Sequence, residues 1–250
     1  MRAQNANGDR QVLKREEMKV PLAAANGERR SVMGLFTGIL DLFFPPRCVF
    51  CRKFLEKGEK EICASCLKEL PFCKGAAQRT AGDFFSECVS PFYYKDEVRE
   101  SILRFKFRGA SQYAKAYGRL LADCIRQNLS GKYDLITWVP LNEVRLAERT
   151  YDQAALLAMA AALELEDVAA ETLKKIRNVQ AQSGISEREK RKANVSGAYV
   201  VKDEELIAGK RILLIDDIVT TGSTLAECSR VLLTAGAARV VCATLAKAAE

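Results

Sequence analysis

The sequence predicts an α/β fold with parallel strands, preceded by a small four-cysteine ribbon, and three observations carry that prediction. Residues 212–215 are continuously apolar, as in a parallel strand covered on both faces, and Leu225, Cys228, Val231, Leu232 and Leu233 follow at helical spacing. Residues 135–140 form a second strand-like run, and the stretch from Tyr151 onward, with Ala154, Leu157, Ala158, Ala161 and Ala162, has the spacing of another helix. Upstream of both, Cys48-x-x-Cys51 and Cys63-x-x-Cys66 place two pairs of thiols on two short turns.

Taken in order along the chain, residues 1–32 are expected to be a disordered extension, because this part is polar, charge-mixed and without a sustained helical or strand period. Residues 33–90 are expected to hold an amphipathic helix and the ribbon. Leu35, Phe36, Ile39, Leu40, Phe43 and Phe44 fall at helical spacing and stop at Pro45-Pro46. Residues 91–250 make up the α/β domain, with strand-like runs at 135–139, 198–201, 212–215 and 239–245. Arg29-Arg30 superficially resembles a twin-arginine export signal, but the apolar stretch after it is short, is interrupted by Asp41 and lacks a small-x-small cleavage site. The longest apolar run, residues 154–163, is roughly half of what a bilayer-spanning helix needs. A cytoplasmic protein with no membrane span is therefore expected.

Composition narrows the chemistry. Among 250 residues there are nine cysteines and no histidine, which removes the commonest general base at neutral pH and the commonest zinc ligand besides cysteine. Lys and Arg number 39 against 32 Asp and Glu, a net charge of +7 that favours polyanionic ligands without selecting one.

Four thiolates from Cys48, Cys51, Cys63 and Cys66 can surround Zn²⁺ tetrahedrally at about 2.3 Å each, leaving no open position for a catalytic water. A structural zinc is expected. Cys73 and Cys88 lack CxxC partners and two ligands cannot close a tetrahedral site, so one zinc is counted. Cys124, Cys228 and Cys242 sit in apolar contexts and are read as core residues.

The most informative segment is 211–225. An apolar strand ends in Asp216-Asp217 and runs into Thr220-Thr221-Gly222-Ser223-Thr224 before the next helix. The loop can aim backbone N–H groups, hydroxyls and a helix N-terminus at a phosphate, with Gly222 allowing close approach, while the two carboxylates suit vicinal ribose hydroxyls directly or through hydrated Mg²⁺. Neither GxxxxGK[ST] nor GxGxxG is present. The segment resembles the 5-phosphoribosyl-1-pyrophosphate (PRPP) motif of type I phosphoribosyltransferases. In the connection at 141–150, read as a loop, Arg145 and Arg149 match phosphate oxygens in the place of that family's pyrophosphate loop; two loop arginines alone equally fit a solvated surface. The polar, basic stretch with Arg177, Gln182, Arg191 and Asn194 has the position of the flexible loop that closes over PRPP in these enzymes.

The order of these parts resembles the ComF family of competence proteins, which join a zinc ribbon to a phosphoribosyltransferase domain. The resemblance runs from about Leu35 to the C-terminus and includes Phe43-Phe44-Pro45-Pro46-Arg47-Cys48 before the ribbon and the basic-aromatic segment Leu103-Arg104-Phe105-Lys106-Phe107-Arg108-Gly109. It implies a type I phosphoribosyltransferase core, a twisted parallel sheet with helices on both faces and ligand at the carboxyl ends of the strands. It also implies binding of PRPP with Mg²⁺ and a part in DNA uptake. Two further readings stay open: an active phosphoribosyltransferase that transfers to a base or amine and releases pyrophosphate, and a single-stranded DNA surface made by the ribbon with Lys95, Arg99, Arg104, Phe105, Lys106, Phe107 and Arg108, with a competence helicase as a further partner. The chain departs from the family's Arg-Gly-Tyr/Phe-Asn-Gln at Arg149-Thr150-Tyr151-Asp152-Gln153, which puts pyrophosphate affinity in doubt.

Overall fold

Strand β7 (Arg211–Val219) is an interior strand of a six-stranded sheet, paired on both edges, and the functional crevice is arranged around its carboxyl end. A computed structural model describes residues 45–176 and 197–249. The expected extension at 1–32, the expected helix before Pro45-Pro46, and Arg177, Gln182, Arg191 and Asn194 lie outside the described residues.

In chain order the described elements are α1 (Ala64–Glu69), β1 (Arg79–Gly82), β2 (Phe85–Val89), β3 (Phe92–Tyr93), α2 (Asp96–Phe107), α3 (Tyr113–Leu129), β4 (Leu135–Trp138), α4 (Glu143–Arg149), α5 (Gln153–Leu165), β5 (Leu173–Lys175), β6 (Tyr199–Val201), α6 (Glu204–Ile207), β7, α7 (Ser223–Thr234) and β8 (Arg239–Lys247). The sheet order is β1-β2-β8-β7-β4, with β3 also on β8. Among the described residues of this sheet, β1 and β2 pair antiparallel and the other strand pairs are parallel.

Alternation along the central strands explains the two covered faces. Leu213 and Ile215 of β7, with Val241, Ala243 and Leu245 of β8, pack into one core with α3, α5 and the ribbon; Ile212 and Leu214, with Val240 and Cys242, pack into a second core with α7. The continuous apolar run at 212–215 thus serves two cores at once. The connections after β4 and after β7 lead to helices on opposite faces. That divergence opens a crevice at the carboxyl ends of these two strands, the place where open α/β sheets bind ligands.

Residues 79–89, within the span 33–90 that the sequence reading groups with the ribbon, supply β1 and β2 of this sheet, β3 follows at 92–93, and from Pro46 onward the chain clusters as one unit. Cys48, Val49, Phe50, Cys63, Cys66 and Leu70 of the ribbon lie in the same core as α3 and α5. The strand expected at 198–201 does form, as β6, but it pairs antiparallel with β5 in a separate two-stranded sheet. Three residues pairing outside the main sheet look in sequence the same as three inside it, because both bury alternate apolar side chains.

Helices α3 and α5 cross closely at Gly118. A Cβ there would stand 2.5 Å from the Cβ of Ala160 and 2.7 Å from its carbonyl carbon, so the contact is against backbone that cannot turn aside. Gly118→Val is expected to destabilise the protein by about 1–3 kcal/mol through overpacking, read as a lower urea midpoint at unchanged m value.

Candidate functional site

The ribbon is assembled by local backbone bonds. In the first knuckle the N–H of Cys48 donates to Lys53 O and that of Arg52 to Cys48 O, each at 2.9 Å, with Arg52 at φ +65° closing the turn. Between the knuckles, the Glu59 carboxylate accepts from the N–H groups of Glu56 (2.8 Å) and Ala64 (2.6 Å), which hold its carboxyl below the usual range. Cys63 caps α1 and Cys66 sits in its first turn. The four sulfurs all lie within 4.8 Å of one another, with Cys51 and Cys63 at 3.6 Å. Tetrahedral coordination at about 2.3 Å per Zn–S bond needs sulfur–sulfur separations near 3.8 Å, so the set fits a structural zinc. Among the described residues these four cysteines are the metal-competent group. Cys73 and Cys88 are buried, Cys88 within β2, and burial pushes their thiols up, to about 11 and about 12.

A cavity of about 420 Å³ occupies the crevice beside β4 and β7. Its walls carry Asp216, Asp217, Thr220 and Thr224 from β7, the following loop and the first turn of α7, Arg145 and Arg149 from α4, and Lys106, Lys175, Tyr94, Gln153 and Tyr199 from elsewhere in the chain. Four cationic side chains thus face two carboxylates. Alternation along β7 directs the two acids to opposite faces. Asp217 reaches α2, where its Oδ1 is 2.8 Å from Lys106 Nζ. Asp216 accepts the N–H of Asp217 at 2.8 Å, and its carboxyl is held well above the usual range, first by burial and then by the charge of Asp217. Burial also lowers Lys175, helped by the nearby Arg145.

At the loop after β7, Gly222 adopts φ +74° as the residue before α7, with no side-chain cap on that helix. Thr221 and Ser223 bond each other through their hydroxyls at 2.9 Å. Of the five loop residues singled out in the sequence, Thr220 and Thr224 line the cavity directly.

The connection holding Arg145 and Arg149 is a short helix, α4, where the sequence reading placed a loop. Asn142 caps it by accepting the N–H of Arg145 at 2.9 Å. Arg149 is fixed from two sides: its Nη1 donates to Gln153 Oε1 at 3.0 Å and its guanidinium lies 4.8 Å from the Phe107 ring centroid. Asp152, the unusual carboxylate, caps α5 and accepts from Ala155 N (3.0 Å) and Leu141 N (2.9 Å), pinning the segment that leaves β4. Its two oxygens are thereby engaged with backbone. Thr150 stands in the left-handed region at φ +67°, where a β-branched residue is strained.

The basic-aromatic segment divides among three tasks and forms no continuous stacking surface. Phe105 is fully buried, Arg104 donates to the Val49 carbonyl in the ribbon (3.1 Å), and Lys106 faces the cavity, leaving Phe107 as the exposed aromatic. No described helix is long and apolar enough to cross a membrane.

Two family models match: the phosphoribosyl transferase domain over residues 110–250, more than half of the chain, and the double zinc ribbon domain over residues 39–90. The chain belongs to the ComF family of ribbon-bearing phosphoribosyltransferase-domain proteins. It is 28% identical to competence protein F of Haemophilus influenzae, covering 82% of this chain and 99% of that protein. It is likewise 28% identical to competence protein ComFC of Bacillus subtilis, covering 78% and 80%. To the DNA utilization protein YhgH of Salmonella typhimurium it is 32% identical, covering 61% and 68%. A solved structure described as the allosteric regulatory enzyme of purine biosynthesis matches with TM-score 0.39 at 19% identity, covering 56% of this chain and 29% of that one.

Within this ComF-family fold, Lys106, Lys175, Tyr94 and Tyr199 are the cavity residues that sequence reasoning missed. Lys106 was visible only as part of a basic run, and Lys175 and Tyr199 flank the stretch read as a lid. Periodicity signals burial, not the direction in which a cation's long side chain leaves a helix or strand.

Cys66→Ser is expected to reduce bound zinc from one to near zero per chain, counted by elemental analysis, with a lower melting temperature because the site shares the main core. Thr150→Gly is expected to stabilise the protein by about 0.5–1 kcal/mol, since relief of about 1–2 kcal/mol of left-handed strain exceeds the added chain entropy of glycine. A urea titration beside the unmodified protein measures the gain.

Proposed function

We propose that this protein binds PRPP with Mg²⁺ in the crevice at β4 and β7 and serves a ComF-type role in DNA uptake, on the cytoplasmic side. The observation that carries the reading is the strand ending in Asp216-Asp217 and passing into a hydroxyl loop beside a cavity with four cations. Asp216 and Asp217 offer acceptors to the ribose hydroxyls. The first turn of α7, capped by Gly222, offers backbone N–H groups to the 5-phosphate. Arg149, preset by Gln153 and Phe107, and Arg145 suit the pyrophosphate. The carboxylates are hard oxygen donors of the kind Mg²⁺ takes, and the ion would supply charge neutralisation at the pyrophosphate. The DNA-uptake part rests on the similarity to competence protein F and ComFC.

A second reading, turnover of PRPP with release of pyrophosphate, is favoured by the fixed position of Arg149 at the cavity. No histidine is needed, because displacement at C1 through an oxocarbenium-like state depends on orientation and charge neutralisation.

Calorimetric titration with PRPP and Mg²⁺ is expected to show one site per chain. The double variant Asp216→Asn, Asp217→Asn should bind roughly 10–100-fold more weakly while keeping its zinc, the loss expected for charge-assisted hydrogen bonds of about 1.5–3 kcal/mol. Absence of binding by the unmodified protein, or equal binding by the variant, rules the reading out. Pyrophosphate release across a panel of bases, amines and ammonia separates turnover from binding: release with one acceptor establishes transfer, and none with any leaves binding alone.

A further inference from the structure

Helix α2 touches the ribbon at its middle and the cavity at its end. Ser101 Oγ donates to the Val49 carbonyl, and Arg104 Nη2 donates to the carbonyls of Val49 and Phe50, the two residues between Cys48 and Cys51. Two residues beyond Arg104, Lys106 meets Asp217 at 2.8 Å on the cavity wall. The end of α2 is clamped to the pyrophosphate side as well: Tyr151 donates its hydroxyl to the Phe105 carbonyl, and Phe107 lies beneath Arg149. Val98, Ile102 and Phe105 are fully buried, so the helix is seated as a rigid piece.

We propose that α2 couples the metal-holding ribbon to the phosphoribosyl cavity, with Lys106 as the ligand-binding cation that this coupling positions. The proposal rests on the PRPP reading above and adds to it a residue outside the PRPP motif and a link between the two halves of the molecule. The charge arrangement supports the role of Lys106. Without ligand its ammonium balances Asp217, both being largely shielded from solvent. Once Asp217 accepts a ribose hydroxyl, the ammonium stands beside a polyanion and turns to a phosphate oxygen. The ribbon fixes how far along its axis α2 sits, because the Arg104 and Ser101 bonds fall on carbonyls between two metal-ligating cysteines. A knuckle that opens on metal loss moves those carbonyls, and with them the helix that carries Lys106. Linkage makes the effect reciprocal: if metal occupancy strengthens ligand binding, bound ligand strengthens metal retention by the same factor.

The test measures how zinc partitions at equilibrium between the full protein and a competing chromogenic chelator, with and without saturating PRPP and Mg²⁺, in samples whose PRPP binding is measured by calorimetry. PRPP is expected to raise the apparent zinc affinity by about fivefold or more. Arg104→Met should still bind PRPP but lose this gain, and Ser101→Ala, a milder cut of the same link, should lose part of it even if Arg104→Met does not fold. Lys106→Met should bind PRPP at least about tenfold more weakly with unchanged zinc content. Equal zinc affinity with and without PRPP, in a protein that calorimetry shows to bind it, overturns the coupling and leaves the PRPP reading standing. Lys106→Met binding like the unmodified protein overturns the role of Lys106. No PRPP binding at all by the unmodified protein overturns the functional reading and this proposal together.

Discussion

Strand β7 is hydrogen-bonded in parallel on both sides, to β4 along residues 212–215 and to β8 from Arg211 to Val219. Everything at the site depends on that constraint. A strand paired on both edges and covered on both faces cannot shift register without turning its apolar set out of two cores at once, so Asp216 and Asp217 are delivered to fixed points at its carboxyl end. The same pairing places them where the apolar layer stops and the crevice begins. There burial and the charge of Asp217 raise the Asp216 carboxyl above the usual range, against the pull of Lys106.

The cations of the crevice come from elements far apart in sequence. Lys106 arrives from α2, Arg145 and Arg149 from α4, and Lys175 from β5, so the excess of cations is a property of the crevice and not of any local run. Arg149 is held by a hydrogen bond and a ring face, which reduces the freedom it would lose on meeting a ligand. Nearby, the departures from the family pattern prove to be structural in their contacts. Asp152 braces α5 and the end of β4, and Thr150 carries the strained turn between α4 and α5. The ribbon is also less separate than a metal module usually is. Its cysteines and Phe50 are part of the core formed by α3 and α5.

Much of this was legible in the chain. The strand–acid–loop–helix succession at 211–225 is local, and local patterns survive folding unchanged; the four cysteines are read by spacing alone because two short turns suffice to bring them together. The strands at residues 79–93 were not legible. β1 to β3 are short, and the places of β2 and β3 beside β8 depend on pairing across some 150 residues, which no periodicity records. Phe105 and Phe107 show the same limit within one turn of one helix: they share a chemistry, yet one is fully buried and the other lies exposed beneath an arginine.

By itself, then, the sequence determined the chemical inventory: an all-sulfur metal site, a pair of carboxylates on a strand end, a hydroxyl loop, and no histidine to act between them. Tertiary structure decided which charges meet. Only packing could bring Lys106 to Asp217, tie Arg104 to the ribbon's first knuckle and sort one basic-aromatic segment into core, ribbon and cavity. The physical reason is that covalent spacing sets what a short turn or helix face can present, whereas a contact between distant residues exists only after two cores have closed around the sheet and fixed where each long side chain can go.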